Sequence, residues 1–222
     1  IPSYVRRYDN VWPTLHTNHA LYYDGVDDKV ACGTGPAAIL TNRFSLEAWI
    51  KPVGQNSAAA IIAKKNGGSS NPGFAFYVNS FGTGDRRLVF ETQGQALKTT
   101  NPVIVTGQWQ HVAVTFNGSN AAMYVNGIAQ PFSGSVNPAP AASAALTLGA
   151  FTDGGSLFKG GIDDVRVWDV ARSASAIAAD MYHELPSPWD DAGLVAYYPN
   201  NNGGGTLLTD ESGFGNNGTI SG

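Results

Sequence analysis

Apolar and polar residues alternate over short segments along most of the chain, and clusters of Gly, Asn, Pro and Ser separate these segments. In FAFYVN, at positions 74–79, the side chains of Phe74, Phe76 and Val78 fall on one face, and those of Tyr77 and Asn79 on the other. Such a period of two residues is typical of a β-strand that buries one face and keeps the other polar. The predicted strands are ALYYD, FSLEAWIKP, AAIIAKK, FAFYVN, RLVFET, WQHVAVTF, AAMYVNG, LTLGA, GIDDVRVWD and LVAYYP.

The turns between these segments favour antiparallel hairpins. Asn-Gly pairs stand at 117–118 and 126–127, and this pair is a strong hairpin signal because both residues tolerate a positive φ. A single helix is predicted, from Ser173 to Glu184, where a serine precedes apolar residues spaced four apart. One short helix cannot cover a parallel sheet on both faces. The sequence therefore predicts an all-β fold, a two-sheet antiparallel β-sandwich with one short helix near the C-terminus.

A chain of 222 residues is long enough for one large domain, and sandwiches of this size are often undivided. The first 18 residues show no clear period, which predicts an N-terminal arm or linker over 1–18 and a single domain over 19–222. The tail from residue 200 onward is rich in Gly and Asn, a composition that by itself is typical of a flexible segment.

Composition excludes several classes of partner. Only 14% of the residues are charged and the formal net charge is −4, so we expect neither nucleic-acid binding nor attraction to an anionic membrane. No apolar run reaches the ~18 residues that a membrane span needs, so we expect no membrane insertion. Cys32 is the single cysteine, which excludes an intramolecular disulfide and favours a small buried side chain. The chain begins at Ile1 instead of Met, which suggests a processed protein or an excised domain and is compatible with secretion.

Five segments resemble, in this order, the laminin-G-like, pentraxin-related jelly roll of the concanavalin-A-like lectin and glucanase superfamily. They are ALYYDGVDDKV (20–30), FSLEAWIKP (44–52), WQHVAVTFNGSNAAMYVNG (109–127), GGIDDVRVWDVARSASAI (160–177) and LVAYYPNNNGGGTLLTDESGFGNNGT (194–219). The resemblance implies that the Gly/Asn-rich tail returns to the sheet as a further strand. It also implies a structural Ca²⁺ near the first and last core strands, and a secreted bacterial protein. The family pattern has an apolar residue and an acid where this chain has NNN (200–202), so the role of that acid is not carried over.

Two adjacent carboxylates, Asp163 and Asp164, interrupt a segment that otherwise has the pattern of a buried strand. A buried carboxylate needs a positive partner. One candidate is Arg166, on the same strand face as Asp164. The other is a cation shared with the acidic turn DGVDDK, since calcium binds six to eight oxygens that such turns supply. With the resemblance, we predict a structural Ca²⁺ held by Asp24, Asp27, Asp163 and Asp164.

The segment TDESGFGNNG is a second, weaker candidate for metal binding. Its oxygen donors are Asp210, Ser212, Asn216 and Asn217. The alternative is a loop closed by its own Asx-type hydrogen bonds.

The sequence carries little sign of catalysis. The Glu-x-Asp-x-x-Glu motif of jelly-roll hydrolases is absent, and the adjacent acids in GIDDVRVWD point apart. Glu47 and Glu91 can form an acid pair only if their strands meet. His111 follows Trp109 and has the position of a packing residue, although a lyase would use such a His together with Tyr77 and Arg87. We therefore predict a non-enzymatic protein, with a glycoside hydrolase or polysaccharide lyase as the alternative.

A polar sheet face on a rigid scaffold suits carbohydrate recognition, which uses aromatic planes and hydrogen-bonding side chains. Three tryptophans fall at strand positions that predict packing, namely Trp49, Trp109 and Trp168. The other two, Trp12 and Trp189, lie in irregular segments, where each either packs against the ends of the domain or offers a flat surface to a sugar. The predicted carbohydrate-binding residues are Tyr77, Asn79, Arg87, Glu91 and Tyr124 on the polar face, with Asp85 and Arg86 in a neighbouring loop.

These observations predict a non-catalytic, lectin-like carbohydrate-binding module of a secreted or cell-surface multidomain protein. Its partners would be a polysaccharide or glycan and other domains of the same parent chain. The alternative from another class is an adhesion or structural module that binds protein.

Overall fold

The computed structural model describes residues 1–6, 19–35, 42–68, 70–136 and 143–222. Most of the predicted arm, including Trp12, lies outside these ranges. The described beginning of the arm forms strand β1, Ser3–Arg6, which pairs antiparallel with β2, His19–Asp24.

The described residues form two antiparallel sheets, as the alternation predicts. The first, sheet A, has eight strands in the order β1-β2-β14-β4-β9-β10-β11, with β15 also paired to β14. Its remaining strands are β4 (Phe44–Pro52), β9 (Gln110–Phe116), β10 (Ala121–Val125), β11 (Ile128–Gln130), β14 (Lys159–Trp168) and β15 (Leu194–Tyr198).

The second sheet, sheet B, has nine strands in the order β12-β8-β7-β6-β5-β13-β3-β17-β16. They are β3 (Lys29–Ala31), β5 (Ala59–Lys64), β6 (Phe74–Val78), β7 (Leu88–Thr92), β8 (Gln95–Thr99), β12 (Phe132–Gly134), β13 (Thr147–Leu148), β16 (Leu207–Leu208) and β17 (Gly218–Ser221).

The core lies between the sheets and is built from the apolar face of each strand. Sheet B contributes the face of Phe74, Phe76 and Val78, as the alternation predicts, and Phe44 of sheet A packs on Phe74 and Phe90 with ring centroids 6.2 and 5.3 Å apart. Cys32 is 2% exposed in this core, and burial raises the pKa of its thiol to about 12.

One α-helix lies in the described part of the chain, α1 (Ala174–Asp180), which is shorter at its C-terminus than the prediction. Ser173 is its N-cap, with Oγ accepting the N–H of Ala176 at 3.2 Å. A 3₁₀ helix follows at Pro188–Asp190. No helix in the described ranges has the length and hydropathy of a bilayer span.

The Gly/Asn-rich tail is ordered, as the resemblance implies, because it supplies β16 and β17 to sheet B. The loop between them is closed by the buried carboxylate of Asp210, which accepts the N–H groups of Tyr197, Ser212 and Asn216. The side chain of Asn217 accepts the N–H of Asp210 in turn. The hydrogen bonds expected of an Asx-type loop are therefore present in the described TDESGFGNNG segment.

Candidate functional site

The paired carboxylates Asp163 and Asp164 lie at a β-bulge in β14. The register against β4 shifts between Asp163 and Arg166, and Asp164 has a φ of +48°. Because of the bulge, inward-facing Ile162 is followed by inward-facing Val165 after three residues instead of two. The two acids are thereby accommodated outside the apolar core.

Arg166 neutralises the negative charge of Asp164 at this bulge. Its Nε and Nη2 atoms bind the two oxygens of Asp164 at 2.7 and 2.8 Å, and both side chains are buried. The same guanidinium donates to the carbonyls of Asp180 and His183 at 3.1 and 2.6 Å, which ties the segment after the helix to sheet A. Pairing with Arg166 was the alternative to calcium for Asp164, and the structure shows it.

The predicted calcium ligands are not brought together as one set. In the ladder between β14 and β2, Lys159 is opposite Asp24. Asp163 is four residues further along β14, about 13 Å away at the rise of a strand. Asp24 and Asp27 instead lie beside Asp28, with carboxylate oxygens of the three within 4.8 Å of one another. A cation bound at this turn would thus have Asp28 as a ligand beside Asp24 and Asp27, and not Asp163 or Asp164.

The outer face of sheet A is covered by α1 and the residues around it. Glu47 is fully buried there, with Oε1 at 3.0 Å from Nη1 of Arg172 and Oε2 at 3.4 Å from Nε2 of His111. Arg172 also pairs with Asp180, and its guanidinium lies 4.2 Å from the ring centroid of Trp168. This face is a buried ionic layer and not an open site.

Two of the tryptophans predicted to pack belong to this layer. Trp49 is 1% exposed and donates from Nε1 to the carbonyl of Met181 at 2.7 Å, while His111 meets its ring edge-on. Trp168 is buried against Leu194 and Tyr197. These two tryptophans are therefore packed, and His111 is 1% exposed beside Trp49, but the layer lies under the helix instead of between the sheets.

The outer face of sheet B carries an open groove of about 290 Å³. One row of cross-strand neighbours runs across five strands, in the order Ala60, Tyr77, Val89, Lys98, Ser133. The groove is lined by Tyr77, Ser80, Phe81, Val89, Ala96, Lys98, Ser133 and Gly134.

Three aromatic rings form one wall of the groove. The ring of Phe81 is 5.7 Å from that of Tyr77 and 6.1 Å from that of Phe151, and the last two are 6.1 Å apart (centroid distances). Tyr77 and Phe151 are buried, whereas Phe81 is 55% exposed. The wall therefore presents one ring to solvent on a support of two fixed rings.

A buried polar triad fixes the base of this wall. The hydroxyl of Tyr77 donates to Oε2 of Glu91 at 2.9 Å, and Oε1 of Glu91 pairs with the fully buried Lys65. Burial, and then the negative charge of Glu91, raise the pKa of Tyr77 well above its ordinary value, so the tyrosine stays a neutral donor. The carboxylate and ammonium of the triad compensate each other.

The rim next to Phe81 is polar. Asp85 accepts the N–H of Ser80 at 2.9 Å and its hydroxyl at 2.7 Å, and Nζ of Lys98 donates to the same hydroxyl oxygen at 3.2 Å. Burial opposes ionisation of Asp85, but the hydrogen bonds from Ser80 outweigh it and lower the pKa. Nε of Arg87 lies 3.9 Å from Asp85.

The structure places the predicted carbohydrate-binding residues at the groove, at a second cleft and, for Tyr124, on the other sheet. Tyr77 lines the groove, Glu91 lies under its aromatic wall, and Asp85 and Arg87 belong to its rim. Asn79 and Arg86 line a separate cleft of about 140 Å³ between the loops around 54, 84 and 106.

Tyr124 is not part of the predicted face, because it lies on the outer face of the other sheet, packed on Ile177 of α1. Glu47 and Glu91 also lie on different sheets, in β4 and β7, so they do not form an acid pair.

Of the residues that line the groove, sequence reasoning predicted Tyr77 alone, and the most important residues that it missed are Phe81 and Lys98. Phe81 follows strand β6 and has no place in its alternation, and Lys98 lies in β8, a strand that was not predicted. A signal for β8 exists, since Gln93-Gly94 is a two-residue connection with Gly at positive φ between β7 and β8. The missed residues are those that give the groove its exposed ring and its cation.

The fold corresponds to a known class of protein. The family model of the concanavalin A-like lectin/glucanases superfamily matches residues 24–178. The chain belongs to this superfamily, and the laminin-G-like resemblance seen in the sequence is confirmed.

Solved structures of similar fold include carbohydrate-binding proteins. A protein from Bacteroides ovatus for which carbohydrate binding has been suggested is 24% identical with a TM-score of 0.73, over 91% of this chain and 58% of that chain. Domain 4 of an extracellular arabinanase from Geobacillus stearothermophilus, in complex with arabinotriose, is 17% identical with a TM-score of 0.54, over 81% of this chain and 80% of that one.

Among curated proteins, pappalysin-1 of Mus musculus is 24% identical over 184 residues, which is 74% of this chain and 11% of the mouse protein. The chain thus spans a small part of that relative and about three fifths of the Bacteroides structure.

Proposed function

We propose that this chain is a non-catalytic carbohydrate-binding module and that the groove on sheet B receives the saccharide. The observation that carries this proposal is the exposed ring of Phe81, supported by two buried rings and flanked by hydrogen-bonding side chains. Sugar rings stack their CH faces on such planes, while polar groups at the rim hold the hydroxyls. The fold is shared with structures that bind arabinotriose or sialyllactose, which supports the same kind of ligand.

The acids near the groove support a binding role over a catalytic one. Glycosidases of the usual kind need two carboxyl groups facing the sugar, about 5–10 Å apart. Glu91 is 6% exposed and bound to Lys65 and Tyr77, and Asp85 is held by Ser80. Neither is free to donate a proton to a glycosidic oxygen.

We further propose that the module belongs to a larger, secreted protein. The support is that the chain matches only part of its relatives, one of which is an extracellular enzyme that carries a similar domain. The predicted bacterial origin stays a prediction.

The test is a glycan array with the chain itself, followed by calorimetric titration of the glycans that bind. Phe81→Ala is expected to weaken binding about tenfold, because it removes the stacking plane. Phe214→Ala is the matched control, since Phe214 is 60% exposed in a loop outside the groove. Equal affinities of wild type and both variants would place the site elsewhere. Binding of protein but of no glycan would favour the adhesion module.

A further inference from the structure

The groove offers an uneven set of hydrogen-bonding groups to a ligand. Its acceptors are largely occupied within the protein, since the oxygens of Glu91 are bound by Lys65 and Tyr77. Those of Asp85 are bound by the hydroxyl and amide of Ser80. The carboxylates of the groove are therefore poor partners for a further donor.

The donors, by contrast, are partly free. Lys98 has three N–H bonds, and among the described residues Nζ makes one hydrogen bond, to Oγ of Ser80. Arg87 is 32% exposed, and in the described part of the chain its ion pair is a long one, with Nε 3.9 Å from Asp85. Two cations thus face one occupied carboxylate at this rim, an excess of positive charge in a chain whose formal net charge is −4.

The free cation is also close to the sugar platform. Lys98 is two strands away from Tyr77 in the cross-strand row, about 9–10 Å at the usual strand spacing. Its side chain extends back toward Tyr77, because Nζ reaches the hydroxyl of Ser80, the residue immediately before Phe81. A sugar stacked on Phe81 would therefore have its substituents within reach of this ammonium group.

We infer that the groove selects a saccharide with an anionic group, a carboxylate or a sulfate ester, and that Lys98 binds this group. The inference rests on the proposed function of the groove and names the class of its ligand. An ammonium group with unused donors binds an anion more strongly than a hydroxyl, because the hydrogen bond is charge-assisted. A neutral sugar would leave the excess charge of the rim without a partner.

The experiment compares two matched pairs of probes by calorimetric titration. Tetragalacturonic acid and its methyl ester differ in the carboxylate, and a sulfated carrageenan oligosaccharide and its neutral agarose counterpart differ in the sulfate. The wild-type chain should bind the charged member of at least one pair about tenfold more tightly, and added salt should reduce this difference. The pair that shows the preference identifies the anion.

Lys98→Met keeps most of the side-chain stem and removes the charge. It should abolish the preference for the charged probe and leave the affinity for the neutral one within about twofold, whereas Lys98→Arg should retain the preference. Lys51→Met, at an exposed lysine of β4 in the other sheet, is the control for net charge. Melting temperatures of the variants verify that each is folded.

The outcomes separate this inference from the proposed function. Equal binding of charged and neutral probes, or a preference that Lys98→Met leaves intact, would overturn the selectivity. If Phe81→Ala still removes binding in that case, the carbohydrate-binding groove stands. Failure of the wild-type chain to bind any glycan would overturn both.

Discussion

Glu47 is expected to make the free energy of unfolding of the protein depend on pH. Its carboxylate is fully buried under the helix, where burial by itself would raise the pKa. The contact with His111 and the charges of Arg166 and Arg172 outweigh burial and lower the pKa from the ordinary 4.5 to about 2. The ionised form is thus strongly preferred in the folded state.

The magnitude follows from linkage between ionisation and folding. At ~1.4 kcal/mol per pKa unit, the difference between 4.5 and about 2 corresponds to about 3 kcal/mol of stability. Because the pKa is lower in the folded state, this contribution is complete above the unfolded value near 4.5. It is lost as the pH falls through the folded value near 2. Glu47→Gln should therefore lower the free energy of unfolding by about 3 kcal/mol at about pH 7.

Equilibrium urea unfolding of wild type and Glu47→Gln, at pH values from about 7 down to about 2, measures this effect. The difference between the two proteins should stay constant above about pH 4.5 and shrink toward zero at lower pH. Asp190→Asn, at an exposed carboxylate, is the control and should match wild type within ~0.5 kcal/mol. A Glu47→Gln deficit of the same size at every pH would show that the charge of Glu47 contributes nothing and would refute the argument.

Two further predictions concern other parts of the fold. Calcium should raise the melting temperature of wild type but not of Asp27→Asn. The reason is that an ion that binds only the native state adds about 2.7 kcal/mol of stability at a hundred times its dissociation constant. Identical melting temperatures of wild type in chelator and in millimolar calcium would exclude the ion. Gly149→Ala should destabilise by about 2–5 kcal/mol in urea unfolding, since its Cβ would lie 2.2 Å from the buried ring of Tyr23 at a φ of +78°. Gly94→Ala, also at +78° but with no atom within 4 Å, should cost only about 1 kcal/mol, and equal losses would contradict the steric reasoning.

Alternation predicted most of the long central strands because each buries one face, which leaves a period of two in the sequence. It failed for the short strands β3, β8, β11 and β12, which have three to five residues and little apolar pattern. Composition also failed for the tail, where order comes from the strand pairing of β16 and β17 and from the buried Asp210, which accepts three backbone N–H groups. The resemblance to a family supplied what the local pattern lacked.

The site was harder to predict than the fold, for a geometric reason. The period-two argument places Tyr77 and Tyr124 on polar faces correctly, but it does not say which of two sheets a face belongs to. It also assumes a regular pleat, and the bulge at Asp163–Asp164 breaks that assumption. The spacing of three between Ile162 and Val165 is the local sign of this bulge, since both residues are in the core.

The two outer faces of the sandwich have different physical roles, and this makes their effects separable. Sheet A is covered by the helical segment, which is held by Arg166 of β14 through the carbonyls of Asp180 and His183 and by Arg172 through Glu47, so substitutions there act on the free energy of unfolding. Sheet B leaves the ring of Phe81 and the ammonium of Lys98 at an open groove, where truncation removes little buried area. We therefore expect Glu47→Gln to lower stability with glycan affinity unchanged, and Phe81→Ala to do the reverse. If either variant changed both the free energy of unfolding and the glycan affinity, the helix-covered face would influence the shape of the groove through the core that the two sheets share.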